Sequence, residues 1–201
     1  MPDVVDKPRR GRPSQGAREA LIEAARALFM DRDYDAVSTD EILERAAVSR
    51  GALYHHFSSK RDLYREVWRD SERRLIGRLA DSAAAAGAPF EVLIAGCRAY
   101  LDEAAANREM RRIGLMQSRT VLGWEEWRRG ISDLGLATMG ATIAAAMDAG
   151  ELRRSDVEAT AHLVLAALIE AALLIVTSDD PSAARARAEP PLMGMLEGLR
   201  R

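Results

Sequence analysis

The sequence predicts an all-α protein, with an N-terminal three-helix domain that contains a helix-turn-helix and is joined through a long fourth helix to a C-terminal helical bundle. Apolar residues recur at helical spacing along most of the chain, and helix-capping signals precede several of these segments. No stretch shows the alternation of apolar and polar residues, with enrichment in β-branched side chains, that is typical of a strand.

The composition is that of a globular protein, with 201 residues of which 48% are hydrophobic. The single cysteine, Cys97, has no partner for an intramolecular disulfide, and residues 1–6 lack the pattern of a secretory signal. The longest apolar run, 163–176, contains Glu170 and is shorter than the roughly 20 residues that a membrane span needs. We therefore expect a cytoplasmic protein without a transmembrane helix.

Basic charge is concentrated at the start of the chain. Residues 7–12 include four Lys and Arg and no acidic residue, whereas residues 31–44 include six Asp and Glu. A net charge of -2 argues against a protein whose whole surface binds nucleic acid. Residues 1–13 are interpreted as a flexible basic arm, followed by one domain at 14–60 and a second at 61–201.

The first helix is predicted from about Ser14 onward, because apolar residues recur there at helical spacing: Leu21, Ala24, Ala25, Leu28 and Phe29. Two short helices about three residues apart come next, which is the helix-turn-helix pattern. Ser38 caps the first of them, with Glu41 placed to complete a capping box. Ser49 caps the second, which we expect to be the recognition helix.

The rest of the chain is predicted to be helical. Ser59 opens the long fourth helix with the same capping pattern. Further helices are expected at 89–106, 108–118, 124–148, 155–178 and 190–200. Pro190 and Pro191 are expected to break the last helical region and leave a short final helix, since proline lacks a backbone donor and clashes with the preceding turn.

The recognition helix of such a motif lies in the major groove, so its outward-facing residues are candidate DNA contacts. Arg50 can make a bidentate contact with guanine, worth roughly 1–3 kcal/mol against a wrong base. Gly51 and Ala52 allow close approach, and Ala52 can touch a thymine methyl group. The remaining candidates are Ser38, Thr39, Ser49, Tyr54, His55 and Lys60, together with Arg9, Arg10 and Arg12 of the arm, which can follow the backbone or enter the minor groove.

Each of these residues also has a plainer interpretation. An arginine on an exposed short helix is usually only solvated, and Tyr54 could simply cover the core. The combined pattern favours DNA contact over these plainer interpretations. It resembles the TetR family of bacterial regulators, from Ala24-Ala25 and Leu28-Phe29 through Ser38-Thr39 and Ile42 to residues 48–57 and 59–63, a match of about 50 residues without a gap.

The resemblance implies a cytoplasmic homodimer that binds a palindromic operator in double-stranded DNA, usually as a repressor released by a small-molecule ligand. Two positions depart from the family pattern, because Asp33 and Ala47 stand where glycine is usual. If either residue has a positive φ, the cost is on the order of 1 kcal/mol, and Asp tolerates it better than Ala.

The resemblance also implies that the last two helical segments pair with those of a second subunit. Two apolar stripes are candidates for this contact, one with Leu165, Leu168, Ala172 and Ile175 and one with Leu192, Met195 and Leu196. The alternative is that both stripes seal the subunit's own core.

A ligand pocket is expected in the C-terminal domain. His162 and Glu170 share one face of the predicted 155–178 helix, and aromatic or sulfur-bearing walls are expected from Tyr100, Met116, Trp124 and Trp127. Alternatively, Glu170 pairs with a neighbouring arginine or lies at the dimer seam, and the two tryptophans serve packing.

An enzyme would need a cluster of nucleophile, base or metal ligands, and we find none. His55 and His56 are adjacent and point in different directions on a helix, so we expect no zinc site, and no cofactor beyond an unknown effector. A protein-interaction module that has lost DNA binding is the other alternative, and the intact basic face argues against it.

Overall fold

The structure is a computed structural model, and it describes residues 15–201. No strand occurs in this range, where one isolated antiparallel bridge joins Leu152 and Arg200. The all-α class is therefore confirmed. The chain divides into two compact units after Val67, within the fourth helix.

The N-terminal unit extends to Val67. Its helices are α1 (Gln15–Asp31), α2 (Thr39–Ala46), α3 (Arg50–His56) and the start of α4 (Lys60–Ala83), with a 3-10 turn at Tyr34–Ala36. α1 packs against α2 and α3. The core of this unit consists of fully buried apolar side chains, among them Leu21, Phe29, Ile42, Leu53 and Tyr64.

Serine caps fix where α2 and α3 begin. Ser38 Oγ accepts a hydrogen bond from the Glu41 N–H at 3.2 Å, and the Glu41 carboxylate accepts one from the Ser38 N–H at 2.8 Å, which confirms the predicted capping box. The bond from the Ser38 backbone, with further bonds from Arg32 and the Ser38 hydroxyl, lowers the pKa of Glu41 to about 2. Ser49 Oγ accepts from the Ala52 N–H at 3.2 Å.

The C-terminal unit begins at Trp68 and is a helical bundle. It contains the rest of α4, then α5 (Pro89–Ala106), a π-helical segment (Met110–Gln117), α6 (Ser118–Leu122), α7 (Trp124–Asp148), α8 (Val157–Val176) and α9 (Pro181–Glu197). α8 packs against α5, α7 and α9. The predicted helices at 89–106 and 124–148 coincide with α5 and α7.

The π-helical segment occupies a stretch for which an ordinary helix was predicted. The Gly114 carbonyl accepts hydrogen bonds from the Ser118 hydroxyl at 2.5 Å and from the Trp127 indole N–H at 3.2 Å. Both donor side chains are buried, so this carbonyl joins the segment to α6 and α7. π-helical turns are frequent at functional sites.

The final helix is longer than predicted. α9 begins at Pro181, where the Asp180 carboxylate accepts from the Ala183 N–H at 2.9 Å, and it continues through Pro190 and Pro191 to Glu197. The predicted break is therefore wrong. The buried residues stay on one face across the prolines (Ala184, Ala188, Leu192, Met193 and Leu196), so packing on α5 and α8 offsets the missing backbone donors.

α8 is long and apolar enough to cross a membrane by length and composition alone, with a mean hydropathy of 2.2 over 18 residues. In this chain it packs against α5, α7 and α9. The predicted pairing stripe is buried within the C-terminal unit (Leu165, Leu168, Ala172 and Ile175), so it seals the subunit's own core. The large apolar residues that α8 leaves exposed are Leu163 and Leu174.

We expect Gly130→Ala to destabilise the protein, although alanine is otherwise favoured over glycine inside a helix. A Cβ at position 130 would lie 2.3 Å from Cη2 of Trp68, whose side chain is buried. Overpacking of this kind costs about 1–3 kcal/mol, which thermal unfolding followed by circular dichroism would record as a lower Tm.

Gly140→Ala on the same helix is the matched control. Its Cβ would make an ordinary contact, 3.9 Å from Cγ1 of Val157, so the Tm should stay the same or rise. An unchanged or higher Tm for Gly130→Ala would contradict the close approach of Trp68.

Candidate functional site

α3 buries one residue and exposes most of the others. Leu53 is fully buried, and Phe57 is buried just after the helix, which anchors α3 in the N-terminal unit. Arg50, Gly51, Tyr54 and His55 are exposed, and Ala52 is half-buried. The predicted base-reading and phosphate-binding residues of α3 therefore share an accessible surface.

Arg50 is oriented by a neighbour that was not predicted from the sequence. Its guanidinium donates to the carboxylate of Asp40 in the first turn of α2. Both side chains are largely exposed, at 58% and 73%, so the pair contributes at most about 1 kcal/mol. Arg50 can exchange Asp40 for another hydrogen-bond acceptor at little cost.

The N-terminus of α2 presents Ser38 and Thr39 at the surface, with Thr39 half-buried. The Ser38 hydroxyl is engaged with Glu41 in the cap, and it donates to that carboxylate at 2.9 Å. The Ser49 hydroxyl likewise serves the cap of α3. Both serine hydroxyls are thus already engaged in helix caps in the absence of DNA.

Lys60 is held inside its own unit. Its ammonium donates to the carbonyls of Tyr34 and Val37, at 2.9 Å each, and lies 4.0 Å from the centre of the Tyr34 ring. Burial lowers the pKa of Lys60. A phosphate at this position would share the ammonium with the two carbonyls.

The arm residues Arg9, Arg10 and Arg12 lie outside the described residues, so their predicted contacts remain sequence-based. The turn of the helix-turn-helix lies within the described range. Ala47, the C-cap of α2, has φ 53° and ψ 39°, in the left-handed region, whereas Asp33 is extended with φ -68°. The departure at position 47 therefore carries a backbone cost, and the one at position 33 does not.

The C-terminal unit contains a predominantly apolar cavity of about 280 Å³. It is lined by side chains of α4, α5, α7 and α8, including Leu75, Leu93, Ile131 and Leu168. Tyr100, one of the predicted pocket residues, is part of this wall. Burial raises the pKa of the Cys97 thiol beside it to about 12.

Glu72 of α4 is the one carboxyl group among the described residues of that wall. Burial, together with the nearby charge of Glu109, raises the pKa of Glu72 to about 8, against a smaller lowering contribution from the Trp68 side chain. Glu72 was not among the residues predicted from the sequence, although its spacing from Trp68, Leu75 and Leu79 places it on the apolar face of α4.

The other predicted pocket residues lie elsewhere. Trp124, Trp127, His162 and Glu170 line a second cavity of about 200 Å³, where the Arg119 guanidinium lies over both indole rings. Met116 lines a third, with Trp124. The structure therefore brings four of the six together, places Met116 beside one of them, Trp124, and separates Tyr100 from that group.

Two family models match this chain. One described as "Bacterial regulatory proteins, tetR family" matches residues 21–67, and one described as "Tetracyclin repressor-like, C-terminal domain" matches residues 90–199. The first covers α2 and α3 and the second covers most of the C-terminal unit.

Solved structures and relatives agree with the family models. A TetR-family transcriptional regulator from Pectobacterium atrosepticum is 32% identical, with a TM-score of 0.79 over 91% of this chain and 93% of that one. RolR, solved with the ligand resorcinol, shares the fold at 20% identity and a TM-score of 0.70, over 89% and 86%. The transcriptional repressor KstR2 of Mycolicibacterium smegmatis is 39% identical over 83 residues, which is 40% of each chain. The match thus spans less than half of KstR2.

We expect Ala47→Gly to stabilise the protein by about 1 kcal/mol. A left-handed conformation costs a non-glycine residue roughly 1–2 kcal/mol, and the greater entropy of glycine in the unfolded chain offsets only part of the gain. Chemical denaturation measures the free energy of unfolding, and Ala46→Gly, one residue earlier inside α2, is the control that should destabilise. A destabilised Ala47→Gly would contradict the left-handed turn.

Proposed function

Since this chain belongs to the TetR family of bacterial transcriptional regulators, we propose that it binds a palindromic operator as a homodimer and represses transcription until a small molecule releases it. The observation that carries this proposal is the exposed face of α3, which presents Arg50, Tyr54 and His55 around a buried Leu53. We assign DNA binding to residues 14–60 and ligand binding with dimerisation to 61–201, in a cytoplasmic protein.

In the proposed complex, α3 enters the major groove and Arg50 leaves Asp40 to contact guanine O6 and N7. Gly51 and Ala52 bring the helix close to the bases. Tyr54, His55 and the backbone amides at the start of α2 hold phosphates, and Arg9, Arg10 and Arg12 follow the backbone or the minor groove. Asp40 then returns to solvent, which its exposure permits.

The proposed dimer uses the apolar side chains that the C-terminal unit leaves exposed. Leu163 and Leu174 are 73% and 58% exposed, and their spacing of three turns places them on one face of α8. Met195 of α9 is 63% exposed, whereas its neighbours Leu192 and Leu196 are buried. A two-fold pairing also agrees with a palindromic operator, because two recognition helices must enter successive major grooves.

The proposed effector site is the apolar cavity between α4, α5, α7 and α8. Its volume of about 280 Å³ approaches that of typical ligand pockets, and its wall is apolar apart from a few polar groups. RolR provides a precedent for a small molecule bound to this fold. The cavity near Trp124, His162 and Glu170 is the second candidate location.

We expect Arg50→Ala to weaken binding to a palindromic duplex from the gene's own upstream region by about tenfold to a hundredfold per half-site. Fluorescence anisotropy at physiological salt measures this, with a random duplex as the reference. Arg154→Ala is the matched control, because Arg154 is also an exposed arginine paired with an aspartate, Asp148, in the C-terminal unit. If the wild-type protein bound the upstream region no more tightly than the random duplex, specific recognition would be ruled out.

A charge on the exposed face of α8 should separate the subunits. Leu163→Glu and Leu174→Glu place carboxylates where two copies would bury apolar surface, so sedimentation velocity should show a monomer for the variants and a dimer for the wild type. Ala141→Glu adds the same charge at an exposed position of α7 and should remain dimeric. Dimeric Leu163→Glu and Leu174→Glu variants would place the interface elsewhere.

A further inference from the structure

Among the described residues, the lining of the apolar cavity contains an acidic side chain and no basic one. Five of its lining residues carry polar atoms in their side chains: Glu72, Cys97, Tyr100, Thr138 and Thr142. No Lys, Arg or His is among the described residues that line it. A ligand inside it therefore meets one carboxyl group, a phenol, a thiol and two hydroxyls, with no cation.

The position of Glu72 is defined by close packing. A Cβ added to Gly114 would lie 3.0 Å from Glu72 Oε1, so the carboxyl group lies directly against the π-helical segment. Glu109, whose carboxylate accepts from Ser71 at 2.5 Å, adds negative charge nearby. Tyr100 of α5 lines the same cavity, and both burial and the charge of Glu72 raise its pKa.

A buried carboxyl group surrounded by apolar walls is costly to keep charged and gains most from a positive partner within about 4–6 Å. An anionic ligand would find no counter-charge among the described residues that line the cavity and would be repelled by the nearby charge of Glu109. A purely apolar ligand would fill the space but leave the carboxyl group without a new partner.

We propose that this cavity binds a lipophilic amine, with the ammonium group paired to the carboxylate of Glu72 and the apolar body packed against α5, α7 and α8. The inference rests on the proposed function, in which the cavity is the effector site, and it adds the chemical class of the effector. In this proposal the Glu72 carboxylate favours a cationic ligand over a neutral or anionic one.

The pairing has a consequence for protons. Because the pKa of Glu72 is about 8, its carboxyl group is mostly protonated at pH 7 in the empty cavity. An ammonium ligand stabilises the ionised form, so the Glu72 proton passes to the buffer while the ammonium keeps its own. Binding should therefore release about one proton at pH 7.

The test is isothermal titration calorimetry of the full chain with three probes of similar shape: 4-phenylbutylamine, 4-phenylbutan-1-ol and 4-phenylbutanoate. We expect the amine to bind at least tenfold more tightly than the alcohol, and the carboxylate to bind most weakly. Titrations in buffers of different ionisation enthalpy should show the release of a proton with the amine only.

Glu72→Gln keeps the shape of the side chain and should remove the advantage of the amine while leaving the affinity for the alcohol within about threefold. Glu158→Gln, at an exposed position of α8 that lines none of the three cavities described above, is the matched control and should leave all three affinities unchanged. The proton count in the wild-type chain tests the same pairing without any variant.

Absence of amine binding, equal affinity for amine and alcohol, tighter binding of the carboxylate, or an amine preference that survives in Glu72→Gln would each overturn the proposal. The DNA anisotropy measurement on the same preparation separates this outcome from failure of the proposed function. A chain that binds its operator but not the amine would remain a regulator whose effector belongs to another class.

Discussion

The candidate DNA-reading surface depends on the burial of Leu53. A helix of seven residues is unstable by itself, so α3 exists only because it is packed in the N-terminal unit. Leu53 supplies that anchor, and the Ser49 cap fixes the first turn. The packing of Leu53 in the core therefore determines where the exposed residues of α3 lie.

Features set by local sequence were predicted well. The capping box of Ser38 and Glu41 uses residues three positions apart, and the bounds of α5 and α7 follow from periodicity with glycine or proline nearby. The bounds of α9 were not predicted, because packing of its buried face on α5 and α8 outweighs the local penalty of Pro190 and Pro191. The π-helical geometry of Met110–Gln117 was not predicted either, and the Trp127 indole that donates to the Gly114 carbonyl there comes from α7.

The cavities of the C-terminal unit cannot be predicted from the pattern of one helix at a time. Glu170 and Glu72 both stand in helices with apolar faces, yet Glu170 is exposed and Glu72 is buried. The difference depends on which neighbouring helices cover each face, and helical spacing carries no information about that. The aromatic residues expected in one pocket are divided between cavities for the same reason.

The ion pair between Asp40 and Arg50 bears on how a regulator searches a genome. Specificity is a ratio between operator affinity and affinity for the many other sites. In the proposed complex, a site without a guanine within reach leaves Arg50 paired with Asp40, so the carboxylate competes with phosphates for the guanidinium. On that proposal, Asp40 shortens the time that the protein spends on DNA it does not regulate.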